Sequence, residues 1–137
     1  MKINIFTILT CLLLVGCSKT ASTSETIFEG TFIEAITYGG AQEDIGFDII
    51  ETFDGGLAVI GNSKSIDGTL TDKILEESDF WLLRFDTNQE LLWNYTYGGS
   101  EDDRGHAIIQ TMDGGFILVG YSKSNDGDAS NNEGQHD

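Results

Sequence analysis

Residues 38–68 read YGGAQEDIGFDIIETFDGGLAVIGNSKSIDG, and residues 97–127 read YGGSEDDRGHAIIQTMDGGFILVGYSKSNDG. The two align without a gap at a period of 59, pairing Tyr38 with Tyr97, Asp44 with Asp103, Gly46 with Gly105, Asp54 with Asp113, Gly61 with Gly120 and Asp67 with Asp126. Over the 32 positions from Tyr38 to Thr69, 17 are identical. A repeat of this length is one supersecondary unit, and such a unit buries its apolar face only by stacking on a neighbour. The chain must therefore be read as a short array.

Each unit reads as strands. GFDIIET (46–52) leads through Phe53 to Asp54-Gly55-Gly56 and then to LAVIGNS (57–63). Asp-Gly between two apolar runs predicts a tight hairpin, because glycine accepts the positive φ of the turn. The second unit repeats it as HAIIQT, Asp113-Gly114-Gly115 and FILVGYS. LAVI and FILV are apolar throughout, which predicts cover on both faces. DFWLLRF (79–85), the turn Asp86-Thr87-Asn88-Gln89 and ELLWNYTYGG (90–99) follow. Leu91, Trp93, Tyr95 and Tyr97 alternate with Leu92, Asn94 and Thr96, predicting a half-buried strand with those four on one face. One unit thus holds four antiparallel strands in a meander.

The period extends backward, since TFIEAITYGG (31–40) aligns with ELLWNYTYGG and shares its TYGG. The expected order is a lone fourth strand at 31–37, one complete unit at about 38–96, and the first two strands of another within 97–137. These residues resemble the β-propeller-type repeats of bacterial extracellular proteins, found in many copies in long lipoproteins and secreted proteins, especially of Bacteroidetes-like bacteria. The resemblance covers roughly residues 31–137 and implies an all-β fold of antiparallel four-stranded, blade-like repeats. Such repeats often place glycine where Gln89 stands; Asn88 is expected to take the left-handed conformation instead. A propeller closes with about four to eight blades, and here there are fewer than two. Three arrangements stay open: a partial propeller cut short within a repeat, a self-contained two-sheet packing, or a ring assembled from copies or with a partner through unpaired strand edges. The stop inside a repeat favours the first.

The N-terminus opens MKINIFTILTCLLLVGC. Lys2 precedes an apolar run from Ile3 to Val15, too short to span a bilayer and of the length of a secretory h-region. Leu14-Val15-Gly16-Cys17 resembles the lipobox of bacterial lipoproteins. The resemblance implies cleavage after residue 16 and a diacylglyceryl group on Cys17, which anchors the chain to the lipid bilayer. Cys11 is lost with the signal, so the mature chain has no cysteine for a disulfide, zinc site or nucleophile. SKTASTSET then reads as a flexible tether, giving a signal peptide at 1–16, lipidated cysteine and tether at 17–30, and a β-repeat domain at 31–137. Ser18 in place of Asp resembles an outer-membrane address, so the cell envelope, at the outer membrane or cell surface, is the expected location.

The mature chain carries 23 acidic residues against six basic ones, a net charge near −17. That disfavours nucleic acid and direct binding to anionic lipid. Seventeen glycines and no proline suit many tight turns, and no segment shows a helical stripe.

Candidate sites are few. Glu43-Asp44 and Glu101-Asp102-Asp103 could offer oxygen ligands to Ca²⁺, but aspartate recurs in turns for backbone reasons, and turn capping by Asp44 and Asp103 is the favoured reading. Asp126-Gly127-Asp128 resembles part of a calcium loop, yet Ser130 and Asn131 stand where a third acid and a glycine belong. Asp54, Gly55, Gly56, Asp113, Gly114 and Gly115 are turn residues. His106 takes the slot of Phe47 and reads as packing; His136 lies near the C-terminus. Acid pairs could serve glycoside cleavage, but carboxylates are too common here to single out two. Trp81, Trp93, Tyr95 and Tyr97 could line a sugar platform, although a row of aromatics on a strand is more often core. The expected function is a non-catalytic structural or interaction module at the envelope with no cofactor. The alternatives are a calcium- or glycan-binding module with a protein or glycan partner, and a non-functional fragment of a longer repeat protein.

Overall fold

The computed structural model describes residues 35–132. The chain divides into two units, Met1–Ala35 and Ile36–Asp137, and the strands belong to the second. The lipobox, Cys17, the tether, residues 31–34 and His136 lie outside the described residues.

Among the described residues the second unit is all-β, with six strands in two antiparallel sheets. Strands β1 (Asp44–Glu51), β2 (Leu57–Ser63), β3 (Asp79–Phe85) and β4 (Leu91–Tyr97) form a four-stranded meander in the order β1-β2-β3-β4. Strands β5 (Asp103–Gln110) and β6 (Phe116–Ser122) form a separate hairpin, followed by a 3₁₀ turn at Gly127–Ala129. Among the described residues no helix is long and apolar enough to cross a membrane. The part of the expected fourth strand at 31–37 that falls here, residues 35–37, forms no strand. A strand needs a hydrogen-bonded neighbour, and no counterpart of β3 precedes it among the described residues.

The period of 59 is reproduced in three dimensions. In both hairpins the turn threonine donates its N–H to the closing glycine carbonyl, Thr52 to Gly56 and Thr111 to Gly115, each at 2.9 Å. Gly55 and Gly114 adopt φ of 81° and 88°. Both hairpins carry a register shift at the same place, between Gly46 and Asp48 and between Gly105 and Ala107. The bulged residues Phe47 and His106 are both exposed and meet edge to face, 5.3 Å apart. In the turn after β3 it is Gln89, not Asn88, that takes the left-handed conformation, at φ 67°. The Asn88 N–H is tied to the Asp86 carboxylate at 2.8 Å, which leaves the reversal to the next residue.

The β5–β6 hairpin lies across one face of the larger sheet, against β1, β2 and β3. Ala58, Ile60, Leu82 and Ile108 are buried between them, with Ile50, Phe80, Trp93, Phe116 and Leu118 around the margin. Side chain to backbone bonds cross the joint: Ile108 N–H donates to Asp48 at 3.1 Å and Phe53 N–H to Gln110 at 2.8 Å. The opposite face buries Leu70, Trp81, Leu83 and Phe85, flanked by Tyr38, Leu57, Val59 and Leu91.

Two predictions of facing fail. Leu91 packs on one face of the sheet and Trp93 on the other, because an irregularity between Arg84 and Phe85 lets β4 slip by one residue and reverses its alternation. FILV is not covered on both faces: Ile117 and Val119 are 49% and 58% exposed, while their counterparts Ala58 and Ile60 are fully buried. β2 has β3 on its far edge and the second hairpin over its Ala58 and Ile60 face; among the described residues β6 has no strand on its far edge and nothing over its Ile117 and Val119 face.

Candidate functional site

The residues that recur most strictly meet at one corner of each unit, where the Gly-Gly pair, the first strand and the Ser-Lys-Ser-x-Asp-Gly segment converge. In the first unit the Asp44 carboxylate accepts the N–H of Gly40 at 2.8 Å and the hydroxyl of Ser65 at 2.9 Å, and takes a further bond from the Ser63 hydroxyl. Asp67 accepts the N–H of Ala41 at 2.8 Å, and Ser65 Oγ that of Gln42 at 3.0 Å. In the second unit Asp103 accepts Gly99 N–H at 2.8 Å, Ser124 Oγ–H at 2.7 Å and the N–H groups of Lys123 and Ser124 at 3.1 and 3.3 Å. Asp126 accepts Ser100 N–H at 2.8 Å, and Ser124 Oγ that of Glu101 at 2.9 Å. Asp103 and Ser124 are wholly buried.

The spacing explains the chemistry. A carboxylate four residues after a glycine pair can fold back onto their N–H groups, and those groups would otherwise be lost in a turn. The glycines are required, since a Cβ on Gly40 or Gly99 would overlap the Asp67 or Asp126 carboxylate. Where the repeat differs the role persists. Gly39 N–H donates to Thr69 Oγ1 at 3.1 Å, and its counterpart Gly98 N–H donates to Asp128 Oδ2 at 3.2 Å.

The four acids with calcium-loop potential are therefore placed in two corners, each oriented toward backbone and hydroxyl donors of its own unit. Among the described residues no group of three or more acids or histidines converges as a metal cage. Asp126 and Asp128 are exposed. The Ser100 N–H holds the Asp126 carboxyl below the usual carboxylate range.

The Asp-Gly-Gly turns form a second recurring feature. Asp54 accepts the Thr52 hydroxyl at 2.6 Å, and Asp113 does the same with Thr111. Both carboxyls are held low, first by that hydroxyl and then by the N–H of Gly56 or Gly115. Among the described residues only Asp54 of the two has a cationic partner: Arg84 of β3 grips it with distances of 2.5 and 2.6 Å while donating to the Leu57 and Phe85 carbonyls.

Sequence reasoning passed over one pair. Lys73 is buried and donates to Asp79 at 2.7 Å and to the Glu77 carbonyl. Burial pushes the Asp79 carboxyl up, against the pull of Lys73. The pair borders a groove of about 190 Å³ lined also by Asp72, Thr96, Gly98 and Asp128. Residues 69–78 carry no period, so only the rarity of lysine in this acidic chain could have drawn attention to it.

The aromatic row is divided between the two faces of the sheet, with Tyr95 and Tyr97 exposed on the face of Trp93. Trp81 is buried on the far face, its indole N–H bonded to Asn94 at 3.0 Å. Trp93 and Tyr95 lie 5.4 Å apart on the other face, with Trp93 also against Phe116. No family model, no curated protein and no solved structure matches the chain.

Proposed function

We propose that the protein is a lipid-anchored module of the bacterial envelope, whose β-repeat domain serves as a non-catalytic structural or interaction element. The observation that carries this reading is the surface of the second hairpin. Ile109, Ile117 and Val119 stand exposed, beside a strand edge unpaired among the described residues. Exposed apolar rows of this kind mark interaction sites. The strict repeats, meanwhile, are spent on building each corner. The two sheets are successive blades of a β-propeller-type array; the same turn, bulge and corner network in each unit supports that assignment. Anchoring rests on the lipobox-like Leu14-Val15-Gly16-Cys17.

Expression in a diderm bacterium tests the anchor. The wild-type chain is expected in the detergent-extractable membrane fraction, with an N-terminal peptide carrying the mass of an acylated cysteine. Cys17→Ala should accumulate as uncleaved precursor. A cleaved, unlipidated wild-type chain in the soluble fraction would refute the anchor.

A further inference from the structure

The first unit shows what the second is shaped to receive. β2 is paired on one edge with β1 and on the other with β3, in the register Leu57↔Phe85, Ala58↔Arg84, Val59↔Leu83, Ile60↔Leu82 and Gly61↔Trp81. β6 repeats β2 residue for residue in backbone position and, among the described residues, is paired with β5 alone. Among the described residues its other edge offers the same backbone groups from Phe116 to Tyr121, with Phe116 in the place of Leu57 and Gly120 in that of Gly61, while the Ser122 carbonyl accepts from Asn132 Nδ2 at 3.1 Å.

The turn beside that edge is prepared as well. Arg84 reaches from β3 across the β1–β2 turn to the Asp54 carboxylate. Gly56 is buried beneath it, so close that a Cβ would overlap the guanidinium and the Phe85 carbonyl. Asp113 holds the same pose through the same bonds to Thr111 and Gly115. Gly115 is exposed, and a Cβ there would meet only Thr111 and Asp113 of its own turn. A carboxylate, a glycine hollow and an open strand edge thus lie together, with the spacing that accommodates an arginine in the first unit.

We propose that the free edge of β6 is a docking site for an extended strand of β3's chemistry on a partner polypeptide: apolar on both faces, paired antiparallel, with an arginine just before its last aromatic residue clamped by Asp113. This rests on the interaction-module reading and names the partner's chemistry. Strand addition to an open edge gains affinity from main-chain bonds and specificity from side-chain pockets. Here the arginine supplies the specificity, because a bidentate guanidinium–carboxylate pair fixes register as well as charge. The strongly acidic chain favours a partner that brings a cation.

The probe is a fluorescein-labelled peptide of residues 78–87, SDFWLLRFDT, titrated by anisotropy against the full lipidated chain in detergent. Saturable binding is expected, with protection from amide exchange appearing along β6. Arg84→Glu in the peptide should weaken binding tenfold or more, and Asp113→Lys in the protein should restore it. Asp113 is exposed, so that variant is expected to fold; its thermal unfolding and that of the wild type are compared in the same buffer. No saturable binding, or binding indifferent to both charge reversals, would overturn the proposal. So would a β6-to-β6 dimer of the chain that the peptide does not displace. Membrane fractionation reads the anchor independently, so failure of the edge and failure of the anchor are separate results.

Discussion

Asp44 and Asp103 occupy the same repeat position and do the same work, yet they differ in burial. Asp103 is completely enclosed and accepts four bonds, while Asp44 is half-buried. Removing an acceptor strands its donors, and each buried donor left unpaired costs about 1–3 kcal/mol. Asp103→Ala is therefore expected to lose about 3 kcal/mol or more of unfolding free energy. Asp44→Ala should lose less, because Asp44 accepts three bonds rather than four and is itself open to water on one side. Urea unfolding of the two variants checks the order; an Asp44→Ala penalty equal to or above that of Asp103→Ala contradicts this account. The carboxylates were visible in the sequence as the acids that recur. Their role was legible too, since an aspartate four residues after a glycine pair has backbone N–H groups within its reach. Lys73 and Asp79 were not legible, because nothing in a loop without period shows which of its charges will be enclosed.

At the level of strands, the bulge that both hairpins share brings two backbones into contact. A Cβ on Gly61 would overlap the carbonyl of Ile45 across the β1–β2 pair, whereas a Cβ on Gly46 would meet Val59 at an ordinary 3.6 Å. Gly61→Ala must therefore push β1 away from the buried centre of the sheet, at about 1–3 kcal/mol. Gly46→Ala removes backbone freedom from the unfolded chain and should be near neutral, within about 1 kcal/mol. Chevron or equilibrium denaturation of the pair reads the difference directly, and equal penalties would show that the close approach is unimportant. The elements themselves were written in the turns. Asp-Gly-Gly at 54–56 and 113–115, with Asp86-Thr87-Asn88-Gln89, placed the strand boundaries close to where they fall. The facing of individual side chains was less readable. Leu91 and Trp93 differ by two in number yet lie on opposite faces, because a strand's own alternation does not reveal a slip against its neighbour. FILV carries the composition of a covered strand, and composition reports what a strand can pair with, not whether that neighbour is present.

For the molecule as a whole, charge decides how stability responds to solution conditions. The acidic excess repels itself in the folded state, and exposed charges are screened over about 8 Å at physiological salt. Raising salt at neutral pH should therefore stabilise the fold, and titrating the surface carboxylates part-way should do the same. Below the ordinary aspartate range, near pH 4, a second effect takes over. Asp54, Asp86, Asp113 and Asp126 are held low, chiefly by the Thr52 hydroxyl, the Glu90 N–H, the Thr111 hydroxyl and the Ser100 N–H respectively. The folded state then binds fewer protons than the unfolded one, so the stability these groups contribute above their unfolded pKa is lost as pH falls through their folded values. Asp79 acts in reverse: its raised pKa means the folded form keeps its proton longer, and its share of stability declines as pH rises through that folded value. Asp102 is lowered too, burial being outweighed by the Ser78 N–H and its basic neighbours, and these five lowered aspartates against the one raised set the direction below pH 4, while Asp79 and the relief of repulsion both favour moderate acidity over neutrality. The thermal midpoint is expected to peak near about pH 5 and to fall below about pH 4. At pH 7 it should rise by about 4 °C or more between 10 mM and 0.5 M sodium chloride, the shift that roughly 1 kcal/mol produces in a domain of this size. Differential scanning calorimetry across that grid reads both effects. A midpoint at pH 7 that ignores salt would mean the negative charges are too far apart to strain the fold, and that its acidity serves the surface it presents to a partner.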